Sequence, residues 1–98
     1  MTNNLNYSFK VFGRVQGVGF RAWTKKTADK MNILGYVMNC TDGTVEIEIF
    51  CDENTKNIFK KKCLAGPVFS KVERIEVSKK PKKQFFAFNI TKLCIFFF

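Results

Sequence analysis

The sequence predicts an α+β protein, a two-layer sandwich in which two helices cover one face of a mostly antiparallel sheet. Three observations predict it. Apolar and polar residues alternate in Tyr7-Ser8-Phe9-Lys10-Val11 and again in Val45-Glu46-Ile47-Glu48-Ile49, the period of strands with one buried face. Between and after these runs the period changes: Phe20, Thr24, Ala28, Met31 and Leu34, then Ile58, Phe59 and Cys63, recur at helical spacing. Thr41-Asp42-Gly43 sits between two strand-like runs as a tight hairpin turn.

Taken in order, the first strand runs through Tyr7, Phe9 and Val11 into the glycine-rich stretch that starts at Gly13. The first helix follows, with Lys25, Lys26, Asp29 and Lys30 on its wet side and Gly35 as its expected C-terminal stop. Tyr36 to Cys40 is the second strand and Thr44 to Phe50 the returning one, with Thr44, Glu46 and Glu48 expected on a solvated face. Asp52-Glu53-Asn54-Thr55 supplies capping and acidic residues for a second helix that ends near Ala65-Gly66-Pro67. Val72 to Val77 and Phe86 to Ile90 are two further strands, expected to form a late hairpin around Lys79-Lys80-Pro81-Lys82-Lys83. The βαββαβ core of this order is the ferredoxin-like split βαβ arrangement. It serves enzymes and binding modules alike.

The 98 residues are expected to form one domain, with a core at about 7–90 and an apolar extension at 91–98 that ends in three phenylalanines. A hydrophobic share of 46% and a charged share of 26% are ordinary for a globular protein. No apolar run approaches the roughly 20 residues needed to span a bilayer, and Met1-Thr2-Asn3-Asn4 does not resemble a secretory leader. The expected location is therefore the cytoplasm, with no membrane partner. Cys40, Cys51, Cys63 and Cys94 lie far apart and there is no histidine, which excludes a zinc site of ordinary spacing and favours reduced thiols. The net charge of +9 is concentrated late: residues 1–50 carry 6 basic and 4 acidic side chains, residues 51–98 carry 11 and 4. Such a field attracts anions of any size, and much of it is accounted for by solvated lysine faces.

The chemistry concentrates in Gly13-Arg14-Val15-Gln16-Gly17-Val18-Gly19-Phe20-Arg21. Glycines let backbone N–H groups approach a ligand closely, and a helix starting beside them adds its own free N–H groups and positive dipole end. Arg21 in the first turn opposes that dipole at a cost of roughly 0.3–1 kcal/mol, which a bound anion would remove. Two other motifs fail. The G-x-G-x-x-A pattern of Gly17 to Ala22 lacks the acidic residue that a dinucleotide site places about twenty positions on, where Val37-Met38-Asn39 stands. Cys40-Thr41-Asp42-Gly43-Thr44 imitates a phosphatase motif with its nucleophilic aspartate replaced, and the positions six residues after Cys40, Cys51 and Cys63 are Glu46, Asn57 and Phe69 in place of an arginine. Without histidine there is neither a histidine base nor a phosphohistidine route. A phosphate-sized anion, a neutral amide at Asn39 and a reaction with a good leaving group remain.

The glycine-rich stretch, followed by Gly35-Tyr36-Val37-Met38-Asn39 and Asp42-Gly43-Thr44-Val45-Glu46, resembles the acylphosphatase family over roughly residues 7–90. The resemblance implies hydrolysis of a carboxyl-phosphate anhydride such as acetyl phosphate or 1,3-bisphosphoglycerate to a carboxylate and inorganic phosphate. It implies no metal and no cofactor, a small-molecule partner and a monomer. Carried over by position, Arg21 binds the phosphoryl oxygens and the backbone of Gln16, Gly17, Val18, Gly19 and Phe20 wraps them. Asn39 aims the attacking water and Thr24 supports the site. Cys40 departs from the pattern, standing where a hydroxyl residue is often found.

Structural uses of the same residues stay open at this stage: an ion pair for Arg21, a turn-flanking role for Asn39, packing for Trp23, and a purely structural side chain at Gln16. Two functional alternatives also stand. One is an RNA-binding module of the same fold order, since Gly17-Val18-Gly19-Phe20 echoes a ribonucleoprotein motif, although Glu46 and Glu48 would face the nucleic acid. The other is an anion-sensing domain that keeps the loop without turnover.

Overall fold

A computed structural model describes residues 3–91. Its elements are β1 (Leu5–Arg14), α1 (Phe20–Lys30), β2 (Leu34–Asn39), β3 (Val45–Cys51), α2 (Glu53–Ala65), β4 (Lys71–Lys80) and β5 (Phe88–Ile90). The five strands form one mixed sheet in the order β4-β1-β3-β2-β5, with both helices on one face. Tyr7, Phe9 and Val11 of β1 lie directly opposite Ile49, Ile47 and Val45 of β3, so the alternation read in each strand meets its counterpart across the ladder. These six side chains are buried together with Val37, Phe20, Ala28, Phe59 and Phe88, and the Phe59 ring of α2 stacks on Phe9 at 5.9 Å.

β1 and β2 are both antiparallel to β3 and therefore parallel to each other. The α1 crossover between them carries the chain from the end of β1 back to the start of β2. The β1–α1 loop and the end of β2 consequently share one edge of the sandwich.

The expected late hairpin does not form. β4 pairs with β1 at one edge of the sheet, whereas β5 pairs in parallel with β2 at the other. The chain between them crosses the face opposite the helices: Asn6 bonds the backbone of Lys83 through both its amide and its carbonyl at 3.1 Å, and Phe85 packs edge-on against Tyr36. A lysine-rich stretch with one proline reads locally as a turn, but β1 offers β4 a ten-residue partner that β5, with three residues, cannot match.

That crossing also corrects the expected solvated face. Glu48 is buried, reached by the Asn6 amide at 3.3 Å and the Tyr36 hydroxyl at 3.4 Å, and Thr44 is buried as well. The Tyr36 hydroxyl donates to Glu46 at 2.8 Å. Burial first, and these carboxylates second, push its pKa up. Phe86, assigned to the last strand by sequence, is exposed within the crossing segment.

Two helix details differ from expectation. In α2, capped by the Asp52 carboxylate accepting from the Thr55 N–H at 2.7 Å, the buried positions are Phe59 and Cys63, while Ile58 is exposed. Burial pushes the Cys63 thiol up, and the Cys51 thiol to about 11, in keeping with inert packing roles. Cys94 and the rest of the apolar C-terminal extension beyond Thr91 lie outside the described residues.

Gly35 does not stop α1. It belongs to β2 at φ 150°, and a Cβ there would land on the Glu48 carbonyl oxygen of β3. The stop is Asn32 at φ 56°, with its N–H bonded to Asp29 O at 3.2 Å and the Ile33 N–H to Ala28 O at 2.9 Å. This is a left-handed C-terminal cap with asparagine in the position more often held by glycine.

A left-handed conformation costs an ordinary residue roughly 1–2 kcal/mol, and Asn less. Asn32→Ala is therefore expected to lower unfolding stability by about 1 kcal/mol, with Asn32→Gly at or above the parent. Urea denaturation of the three proteins checks the order; equal midpoints for parent and alanine variant would contradict it.

Candidate active site

Period 2 along β2 puts Asn39 on the same face as Val37, but beyond the start of α1, where no helix covers it. The β1–α1 loop arrives at the same place. Gly17 (φ 74°) and Gly19 (φ 79°) take left-handed conformations, and Gly19 is the residue ahead of the helix. It has no side chain with which to cap, no acidic residue lies in the first turn, and the first bond of the helix runs from the Trp23 N–H to the Gly19 carbonyl at 3.1 Å. The N–H groups of Phe20, Arg21 and Ala22 thus precede the first intrahelical bond, at the positive end of the dipole.

These features surround a pocket of about 230 Å³ lined by Val15, Gly17, Gly19, Phe20, Arg21, Ala22, Asn39 and Ile90. Of the positions singled out in the sequence, Gly17, Gly19, Phe20, Arg21 and Asn39 meet there. Among the described residues Arg21 has no ion pair or hydrogen bond, so no acid of α1 holds its charge. Among the same described residues the Asn39 side-chain carbonyl oxygen, which is buried, has no hydrogen-bond partner. An uncompensated cation and an orphaned acceptor at one pocket are the residues a ligand and an ordered water would satisfy.

Gln16, Val18 and Thr24 do not line the pocket. Val18 packs its side chain against the core and so anchors the loop. The buried Thr24 hydroxyl donates to the Phe20 carbonyl at 2.7 Å within the first turns of α1. Trp23 packs on Phe20 with 5.7 Å between rings. Arg14 is exposed at the end of β1.

The side chain of Gln16 has a role that its sequence context did not reveal. Its amide donates to both Cys40 O and Thr44 O at 2.8 Å, the two carbonyls at the mouth of the β2–β3 hairpin. The hairpin is fixed in turn by Asp42, whose carboxylate accepts from the Thr44 N–H at 3.0 Å and the Thr44 hydroxyl at 2.5 Å and pairs with Lys10 of β1 at 3.0 Å. One glutamine thus ties the glycine loop to the strand end that carries Asn39. Val15 and Ile90 also line the pocket without having been singled out. Ile90 comes from β5, whose place beside β2 follows from the crossing segment and has no local sequence signal.

A model of the acylphosphatase family matches residues 7–90. The chain belongs to the acylphosphatase family. It is 45% identical to the acylphosphatase of Ligilactobacillus salivarius over 87 residues, which is 88% of this chain and 97% of the relative. The crystal structure of acylphosphatase from Bacillus subtilis superposes with a TM-score of 0.84 at 40% identity, covering 89% of this chain and 98% of the other. An acylphosphatase from Coxiella burnetii gives a TM-score of 0.86 at 25% identity over 91% and 94%. Such breadth of match makes the chain an acylphosphatase-type hydrolase.

Gln16→Ala removes two hydrogen bonds to partly buried carbonyls that keep only the Gly43 N–H (on Cys40 O) and the Cys40 N–H (on Thr44 O), so stability is expected to fall by about 1–3 kcal/mol. Chemical denaturation checks this, and an unchanged midpoint would contradict it. The Thr44 hydroxyl and N–H, then Lys10, depress the Asp42 carboxyl to about 2. A depressed carboxyl adds stability that is full above the unfolded value of about 4 and is lost as the pH falls toward 2. Carboxyl NMR titration should place the Asp42 inflection near 2, and an inflection near 4 would show the turn to be open.

Proposed function

We propose that this pocket hydrolyses small acyl phosphates without a metal, the phosphoryl group held by the Arg21 guanidinium and by backbone N–H groups between Gln16 and Phe20. The observation that carries the reading is the unpartnered carbonyl oxygen of Asn39 in the same pocket as the uncompensated Arg21. In this reading the oxygen accepts a hydrogen bond from a water and aims its lone pair at phosphorus. Asn39 cannot take the proton.

The chemistry fits that limitation. Attack of water on phosphorus and cleavage of the bond between phosphorus and the acyl oxygen release a carboxylate, a weak base that leaves without needing a proton. None of the described side chains lining the pocket is a carboxylate, imidazole or thiol, so the reading gives the water's proton to the phosphoryl oxygens of the substrate itself. Catalysis then comes from alignment and from cations and N–H dipoles facing the charge that spreads over three phosphoryl oxygens in a loose transition state. Thr24 contributes by holding the turn that presents Arg21. Glu46 and Glu76 on the face opposite the helices oppose the RNA-binding reading, and we assign the protein no nucleic-acid or membrane partner, a monomeric state and a cytoplasmic setting.

Hydrolysis of acetyl phosphate in excess chelator tests this. Arg21→Gln and Asn39→Ala are each expected to lower kcat by about 100-fold or more, the scale on which single transition-state donors act. Circular dichroism is the check that both variants stay folded. Near-parental turnover in either folded variant would remove that residue from the mechanism, and turnover that vanishes with chelator would remove the metal-free route.

A further inference from the structure

Ile90 is a large apolar side chain that the core does not use. It follows Phe88 by two residues on β5 and so lies on the same, helix-covered face; Phe88 is 1% exposed, whereas Ile90 is 42% exposed. The difference arises because α1 begins too low to cover it: Ile90 pairs with Val37, one step below Asn39, and opens into the pocket beside Ala22 at the first turn of the helix. The phosphate-binding groups are Arg21 and the glycine loop. Val15, Ala22 and Ile90 supply the pocket's aliphatic surface, and among the described residues Arg21 is its one charged lining side chain. Position is fixed by backbone bonding, since the N–H of Thr91, the next residue, donates to the Val37 carbonyl at 2.9 Å.

We infer that Ile90 forms the acyl-group side of the site and that the preferred substrates carry an uncharged hydrocarbon acyl group, disfavouring acyl phosphates with a second anionic group. The inference rests on the proposed reaction at this pocket. With the phosphoryl group against Arg21, the carbonyl carbon and its substituent must leave the loop toward the walls that remain, and of these Ile90 is the large exposed apolar side chain. A hydrocarbon acyl group covers it, gaining apolar contact. A charged acyl group would shed water against it and meet no second cation among the described lining residues, a loss they do not offset.

The test compares acetyl, butyryl and 1,3-bisphosphoglycerate as substrates for the parent, Ile90→Ala, Ile90→Val and Ile90→Lys. In the parent, kcat/KM should rise from acetyl to butyryl phosphate and be lowest for the bisphosphate. In Ile90→Ala the butyryl-to-acetyl ratio should fall by about tenfold, the scale of losing a few methylene contacts, with Ile90→Val in between. Ile90→Lys should raise the ratio of bisphosphate to butyryl phosphate by about tenfold or more. Ratios are read within each protein, so a loss of folded enzyme does not change them. An active parent whose ratios stay fixed in all three variants would overturn the inference and leave the reaction intact. A parent without turnover on any of the three would overturn the reaction itself.

Discussion

The arrangement depends on leaving one helix end electrostatically unfinished. The amino end of α1 has glycine in place of a capping side chain, no acid in its first turn, and an arginine where its dipole is positive. Each omission costs a little stability, and together they build a positive, donor-rich hollow. Folding tolerates this because the rest of the helix is held by Phe20, Thr24 and Ala28 in the core and closed at its other end by a fully bonded cap at Asn32.

The sheet then brings that hollow to its counterpart. Two parallel strands joined by the α1 crossover end at the same edge, so the loop that leaves β1 and the last residue of β2 come together even though β3 lies between them. Gln16 converts proximity into a fixed distance. Its two amide hydrogens span the carbonyls of the hairpin mouth, and Asp42 keeps those carbonyls in place.

What could be read in the sequence was whatever is written locally. The alternation of Tyr7, Phe9 and Val11, the four-residue spacing of Phe20, Thr24 and Ala28, the Asp42-Gly43 turn and the glycine loop all encode their geometry within a few neighbours. The misreadings have a common physical source. Gly35 resembles a helix stop, but close approach of the β3 backbone requires it, and that contact is 13 residues away. Glu48 reads as a wet-face residue until the chain after β4 passes over it. The side-chain bonds of Gln16 reach 24 and 28 residues along the chain, and the pocket position of Ile90 follows from a strand order that no local pattern specifies. The resemblance carried Arg21 and Asn39, the residues whose types the chemistry dictates, and Thr24 as a support; it said nothing of the side-chain clamp of Gln16.

β1, near the amino terminus, lies in the interior of the sheet and pairs on one side with β4, some 65 residues later in the chain. Most of its partners are therefore far away in sequence, and a large loop must close before that central strand gains its second neighbour. Contacts of such long range place folding toward the slow end for a domain of this size, because chain entropy is lost before the rewarding contacts form. During synthesis the early elements must also wait: the strand that completes their sheet, and the isoleucine that finishes the pocket, leave the ribosome after every other strand of the fold.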